Sequence, residues 1–183
     1  VTTVSTAAKF PVRLTESGPA AGALAAKYFG KLVGHDDLVG FDMGGTTAKM
    51  CLIRGGEPHM SDTFEIARIR RFKRGSGLPV RIPTIELIEI GAGGGSIARV
   101  DELGLLKVGP DSAGAEPGPA CYGQGGTQPT VTDADAVLGY LNPDYFLGGR
   151  MNLDLPAAKR AIDEHIAGGM GLDVTEAAYG IYR

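Results

Sequence analysis

The stretch "FDMGGTTAK" (41–49) decides how this chain is read. An apolar run, "DLVGFDMG" (37–44), reads as a short buried strand whose end carries Asp42. A second run, "TAKMCLIRGG" (47–56), alternates Ala48, Met50 and Leu52 against Lys49, Cys51 and Ile53, the period of a strand. Only two or three residues separate the runs, so the spacing predicts a hairpin with Gly44 and Gly45 at its bend. Glycines at such a bend leave backbone N–H groups uncovered, and uncovered amides cradle phosphate oxygens. Thr46 and Thr47 add hydroxyl donors, Lys49 would balance phosphate charge, and Asp42 is placed to hold a hydrated magnesium ion or orient water. A plain hairpin turn, with Asp42 as a turn residue, uses the same letters; spacing alone does not choose between the two.

Before the hairpin, "ESGPAAGALAAKYFGKLVG" (16–34) reads as a helix with Ser17 as its cap, Pro19 near the first turn and Gly34 at the exit. Its many alanines let it lie close against another element. Residues 1–15 read as a loop or short strand, and "TFEIARIR" (63–70) as a continuation of the sheet. Farther on, "IELIEIGAGGGSIARVD" (85–101) reads as strand, glycine loop, strand. "TVTDADAVLGYL" (130–141) begins a helix, with Thr132 and Asp135 resembling a capping box. "DLPAAKRAIDEHIAGG" (154–169) is a helix capped by Asp154 and ended by Gly168, with Ala158, Ile162 and Ile166 on one face.

The chain has 183 residues and a net charge of −3, long enough for a sizeable core and too acidic for a nucleic-acid or membrane-surface binder. Its 29 glycines cluster rather than repeat, which points to loops that approach ligands. Two cysteines outside any C-x-x-C pair argue against a zinc ribbon or disulfide scaffold and for a reducing, cytoplasmic setting. No apolar run reaches membrane-spanning length. The chain starts at Val1, and its closing stretch, "DVTEAAYGIYR", opens a helix at a Thr or Asp cap that stops after about two turns. A fragment truncated at both ends, 1–183 forming one partial domain, is expected.

Other groups have a plain and a chemical reading. Glycine is missing where Ser96 stands and a strand follows "GAGGGS" (91–96), so a dinucleotide fingerprint is rejected; three successive glycines still point to a functional loop rather than a simple turn. Cys121, in "PGPACYG" (117–123), lacks an adjacent base, so a small buried cysteine is favoured over a catalytic thiol. Cys51 reads as packing. Asp133 would polarise water or bind magnesium at a cleft, or else stabilise a helix N-terminus. The three histidines form no metal-ligand spacing. The basic run Arg68, Arg70, Arg71, Lys73, Arg74 reads as a solvated face, or as a dock for an acidic partner or phosphates.

"DLVGFDMGGTTAKMCLI", preceded by "ESGPAAGALAAKYFG", resembles the helix-then-phosphate-hairpin segment of the actin, sugar-kinase and heat-shock-chaperone ATPase superfamily. In that superfamily two hairpins, one per lobe, grip ATP in a cleft, and the helix ahead of this one marks it as the second. Within the superfamily the chain is most similar to the hydantoinase A / 5-oxoprolinase family, through "ESGPAAG", "FDMGGTTAK", "EIGAGGGSIARVD", "GPDSAGAEPGPACYGQGGTQPTVTDADAVLGYL" and "FLGG" in that order. Many members carry Asp where this chain has Lys49; the Lys form is similar to hydantoin-utilisation members and to relatives of the ketone carboxylases.

The resemblance implies an α/β fold: a mixed-sheet, ribonuclease-H-like (actin-like ATPase) lobe, part of a larger two-lobed protein. It implies ATP and Mg2+ as cofactors and a cyclic amide substrate (hydantoin, N-methylhydantoin or 5-oxoproline) whose carbonyl is activated by ATP. A hydantoinase B-type partner subunit or domain is implied too, with no nucleic acid and no membrane. Under it Gly44, Gly45, Thr46, Thr47 and Lys49 hold phosphate, Asp42 organises magnesium or water, Asp133 assists at the reacting centre, and Gly93, Gly94 and Gly95 line the cleft. The ATP-using subunit of an acetone- or acetophenone-type carboxylase, and a non-catalytic nucleotide switch, remain the alternatives.

Overall fold

A computed structural model describes residues 2–66 and 75–183. The basic run 68–74 lies outside the described residues. The chain divides into two compact units, one of Val1–Asp42 and Lys49–Glu89, the other of Met43–Ala48 and Ile90–Arg183.

The first unit opens with helix, not with the loop or short strand expected for residues 1–15. Helix α1 spans Val4–Lys9 and a 3-10 turn spans Pro11–Leu14. Thr3 caps α1, its Oγ1 accepting from Thr6 N at 3.3 Å. Helix α2, Ser17–Val33, lies where the sequence placed it and exits through Gly34 at a φ of 78°. Its entry differs: Glu16, not Ser17, is the N-cap, in the left-handed region at a φ of 65° and with no side-chain cap bond. The carboxylate that would cap is turned to Lys49 instead, at 2.7 Å.

Strands β1 (Leu38–Met43), β2 (Ala48–Arg54), β3 (Glu57–Pro58), β4 (Met60–Ser61), β5 (Phe64–Ile66), β6 (Leu78–Val80), β7 (Thr84–Ile85) and β8 (Ile88–Ile90) follow. The main sheet runs β1-β2-β3, with β8 also paired to β2. Of the segment 63–70, residues 67–70 lie outside the described residues, and Phe64–Ile66 does not extend that sheet: β5 pairs antiparallel with β6, just as β4, ahead of it, pairs with β7. Ala23, Cys51, Ile53 and Ile85 form the core of this unit. A Cβ on Gly40 would sit 2.6 Å from Cys51 Sγ and 3.2 Å from Ala26 Cβ, so small residues on both sides let α2 close over the sheet. Cys51 is packing, as expected, at 3% exposed.

In the second unit β9 (Ser96–Val100) and β10 (Leu106–Ser112) pair antiparallel. Helices α3 (Val131–Val137) and α4 (Leu155–Ile162) follow, then a wide π-type turn, Asp163–Ala167, then α5 (Gly168–Met170) and α6 (Val174–Tyr182). Asp154 caps α4 as expected, accepting from Ala157 N at 2.9 Å. Gly168 does not end the helical run; Gly171, at a φ of 68°, does. Ala158, Ile162 and Ile166 are all fully buried, and a buried isoleucine contributes roughly 1.5–3 kcal/mol. The capping box of α3 sits two residues earlier than expected, on Thr130 and Asp133 rather than Thr132 and Asp135. Asp173 and Glu176 form a second box on α6. Among the described residues no helix is long and apolar enough to cross a membrane.

Candidate functional site

The turn between β1 and β2 is the four-residue segment Gly44–Thr47, longer than the spacing suggested, and Gly44 N donates to Thr47 O at 3.0 Å across it. Two further bonds orient it. Gly44 O accepts from Gly94 N at 3.0 Å, and Gly45 O accepts from Gly95 N at 2.7 Å. In a trans peptide the C=O and the next N–H point in opposite directions, and neither peptide is among the cis bonds of the chain. Pinning these two carbonyls toward the glycine run therefore turns the N–H groups of Gly45 and Thr46 away from it. Among the described residues neither amide has a hydrogen-bond partner, nor does the hydroxyl of Thr46 or Thr47. Gly44, Gly45 and Thr46 are exposed. Two adjacent outward amides flanked by hydroxyls suit an anion with several oxygens, such as a phosphate chain.

The run Gly93–Gly95 seats this turn. Gly93 and Gly95 are buried. A Cβ on Gly93 would lie 2.5 Å from Thr46 N, and one on Gly95 would lie 2.9 Å from both Gly45 O and Ser112 Oγ. Each of the three glycines is closely approached: Gly93 and Gly95 by the backbone of the turn, and Gly94 by the hydroxyl of Thr132, 2.6 Å from where its Cβ would stand. Ser96, the residue that breaks the dinucleotide pattern, closes the run: its buried Oγ accepts from Gly93 N at 2.9 Å. Gly94 O in turn accepts from Thr132 N and Thr132 Oγ1, both at 2.8 Å.

Asp133 is fully buried. Its Oδ1 accepts from Cys121 N at 2.7 Å; its Oδ2 accepts from Thr130 N at 2.9 Å, Thr130 Oγ1 at 2.8 Å and Ala120 N at 3.2 Å. With both oxygens engaged and no exposure, the carboxylate anchors the 3-10 turn Ala120–Tyr122 to the start of α3, the plain reading of this residue rather than the chemical one. Cys121 is buried as expected. Burial pushes its thiol pKa well above the usual value, with the charge of Asp133 and a hydrogen bond to it adding to the effect. A thiol held protonated in this way is a poor nucleophile. Asp135 carries the one buried oxygen without a partner among the described residues, and desolvation raises its pKa.

In the first unit, Asp42 is exposed near the end of β1 and lies beside Gly22 of α2, where a Cβ would stand at ordinary contact distance, 3.7 Å, from Asp42 Oδ2. Lys49 Nζ lies 2.7 Å from Glu16 and 3.6 Å from Glu89. Burial alone would lower its pKa, but the hydrogen bonds and charges of the two glutamates overcome this and hold it raised. Its charge is matched inside its own unit. Glu16's part is not legible in the letters, because a non-glycine residue at a left-handed helix entry has no letter signature. Among the described residues no three His, Cys, Asp or Glu side chains gather as a metal site.

An α/β chain whose glycine turn, seated on a second glycine run, presents two amides unpartnered among the described residues is what the geometry defines. A family model described as hydantoinase/oxoprolinase matches residues 1–183, and the chain belongs to that family. It is 43% identical over 170 residues to the caprolactamase alpha subunit of Pseudomonas jessenii, covering 93% of this chain and 23% of that protein. The crystal structure of that ATP-dependent caprolactamase superposes with a TM-score of 0.70 over 90% of this chain. The acetophenone carboxylase gamma subunit of Aromatoleum aromaticum is 44% identical over 167 residues, which is 91% of this chain and 22% of that one. The nucleotide-free structure of an ATP-dependent acetone carboxylase gives a TM-score of 0.73 at 36% identity, over 90% of this chain and 22% of that one. The chain thus spans under a quarter of the length of each of these relatives.

Proposed function

We propose that this chain is the second nucleotide-gripping lobe of a longer ATP-dependent enzyme that opens a cyclic amide. The single observation carrying the proposal is the turn whose carbonyls are tied back by Gly94 and Gly95 while the amides of Gly45 and Thr46 face outward without partners. These amides, with the hydroxyls of Thr46 and Thr47, hold phosphate oxygens. ATP supplies activation of the ring carbonyl oxygen, after which water opens the ring. Asp42, adjoining the turn in sequence and exposed, would orient water or a hydrated magnesium ion. Lys49 steadies α2 and β2 through Glu16 and Glu89, and phosphate charge is met by amide and hydroxyl donors.

Membership of the hydantoinase/oxoprolinase family and the likeness to an ATP-dependent caprolactamase, whose substrate is itself a cyclic amide, support this reading. Relatives named as subunits support a B-type partner subunit or domain. The carboxylase relatives support a second reading, the ATP-using subunit of a ketone carboxylase. Assaying the full-length protein with ATP and hydantoin, 5-oxoproline, or acetone plus bicarbonate separates them. A ring-opened product formed in step with ADP is expected; carboxylated ketone favours the second reading. ATP turnover with no organic product refutes both.

A further inference from the structure

The geometry points to Thr132 as a positioning residue for the phosphate turn, acting through the Gly94–Gly95 peptide on the direction of the Thr46 amide. The inference rests on the proposed phosphate role of that turn. The Gly94–Gly95 peptide connects the two: its carbonyl accepts from both Thr132 N and Thr132 Oγ1 at 2.8 Å, and its N–H, that of Gly95, donates to Gly45 O at 2.7 Å. A glycine has no side chain to hold its peptide planes and explores more backbone angles than any other residue. Here the plane that follows Gly94 is fastened at its oxygen by two donors from one residue. Fixing that plane fixes the opposed N–H of Gly95, the Gly95 N–H fixes the Gly45 carbonyl, and the Gly45 carbonyl fixes the opposed N–H of Thr46.

Thr132 suits the task. It lies in the first turn of α3, where the backbone N–H has no partner inside the helix, so its bond to Gly94 takes nothing from the helix. The next residue is Asp133, buried under four hydrogen bonds, so Thr132 starts from an anchored point. The fit is close: a Cβ on Gly94 would lie 2.6 Å from Thr132 Oγ1, so no larger residue at 94 is compatible with the hydroxyl bond.

The test measures, by titration calorimetry on the full-length protein, the affinity for a non-hydrolysable ATP analogue and for adenosine. Thr132→Val keeps the side-chain shape and the backbone N–H and removes only the hydroxyl; Thr132→Ser keeps the hydroxyl; Thr132→Ala serves if the valine variant fails to fold. The expected result is analogue binding weakened about fivefold in Thr132→Val, held within about twofold in Thr132→Ser, and adenosine affinity the same in all. Unchanged analogue binding in Thr132→Val overturns the inference. So does equal weakening of analogue and adenosine, or a serine variant as weak as the valine one. If the unsubstituted protein binds adenosine and the analogue equally, the phosphate reading itself fails, and the inference with it, before any substitution is made.

Discussion

Replacing Asp133 separates an anchoring carboxylate from a reacting one. Asp133→Ala strips four hydrogen bonds and leaves the amides of Ala120, Cys121 and Thr130 buried without acceptors. Each orphaned donor costs about 1–3 kcal/mol, and local relaxation recovers part, so the total is about 4 kcal/mol. Asp133→Asn is milder. Its remaining oxygen keeps Cys121 N, the hydroxyl of Thr130 turns to accept from the new amide, and Ala120 N and Thr130 N are left facing a donor. That amounts to about 2 kcal/mol. Hydrogen exchange followed by mass spectrometry on peptides spanning 118–133 reads the loss where it occurs. Protection should fall roughly a thousandfold for alanine and roughly thirtyfold for asparagine, at about 1.4 kcal/mol per factor of ten. An asparagine variant with unchanged protection but turnover lost by orders of magnitude would refute the anchoring account and return the carboxylate to the chemistry.

Three other outcomes follow from the same structure. Lys49→Met leaves Glu16 and Glu89 facing each other without a cation and should cost about 1–2 kcal/mol in a urea titration, with Glu16→Gln restoring part of it. Because the folded pKa of Lys49 is raised, its contribution is full below the ordinary lysine value of 10.5 and is lost as pH climbs through the raised value; the methionine variant should lack this alkaline decline. Asp135 has a pKa raised by desolvation, so the fold favours its protonated form and its unfavourable effect grows as pH rises through that pKa. Asp135→Asn should melt higher than the unsubstituted protein at neutral pH and converge with it below pH 3.8; a lower neutral melting point would show that the charge has an unseen use. Cys121 should resist iodoacetamide in the native protein and react once unfolded in urea, with mapping by mass spectrometry; rapid native alkylation would revive it as a nucleophile.

Much of the local structure was legible in the letters, and the reason is physical. The hairpin, α2 and the Ile162 face of α4 are set by periodicity and by glycine or capping residues at their ends, all local signals. The misplacements share another cause. Thr130 and Thr132 both stand near the start of α3, and which of them caps depends on partners far away in sequence. Thr132 was drawn off by Gly94, and Asp133 by the turn at Ala120 and Cys121, so the box formed on Thr130. Glu16 entered a left-handed conformation while its side chain paired with Lys49. Tertiary partners override local propensity in each case.

The same distinction bears on the turn itself. Bare glycines at 44–45 and at 93–95 are visible in the sequence, but bare backbone has no inherent direction: a peptide offers an acceptor on one edge and a donor on the other. The amides of Gly94 and Gly95 occupy the acceptor edges of Gly44 and Gly45, and what those two peptides present outward is donor only. Either run alone would present both kinds of group and attract cations as readily as anions. On the proposed reading, selectivity for an anion belongs to the pairing of the two runs. It then depends on geometry rather than on net charge, and a formal charge of −3 is no bar to holding a polyanion.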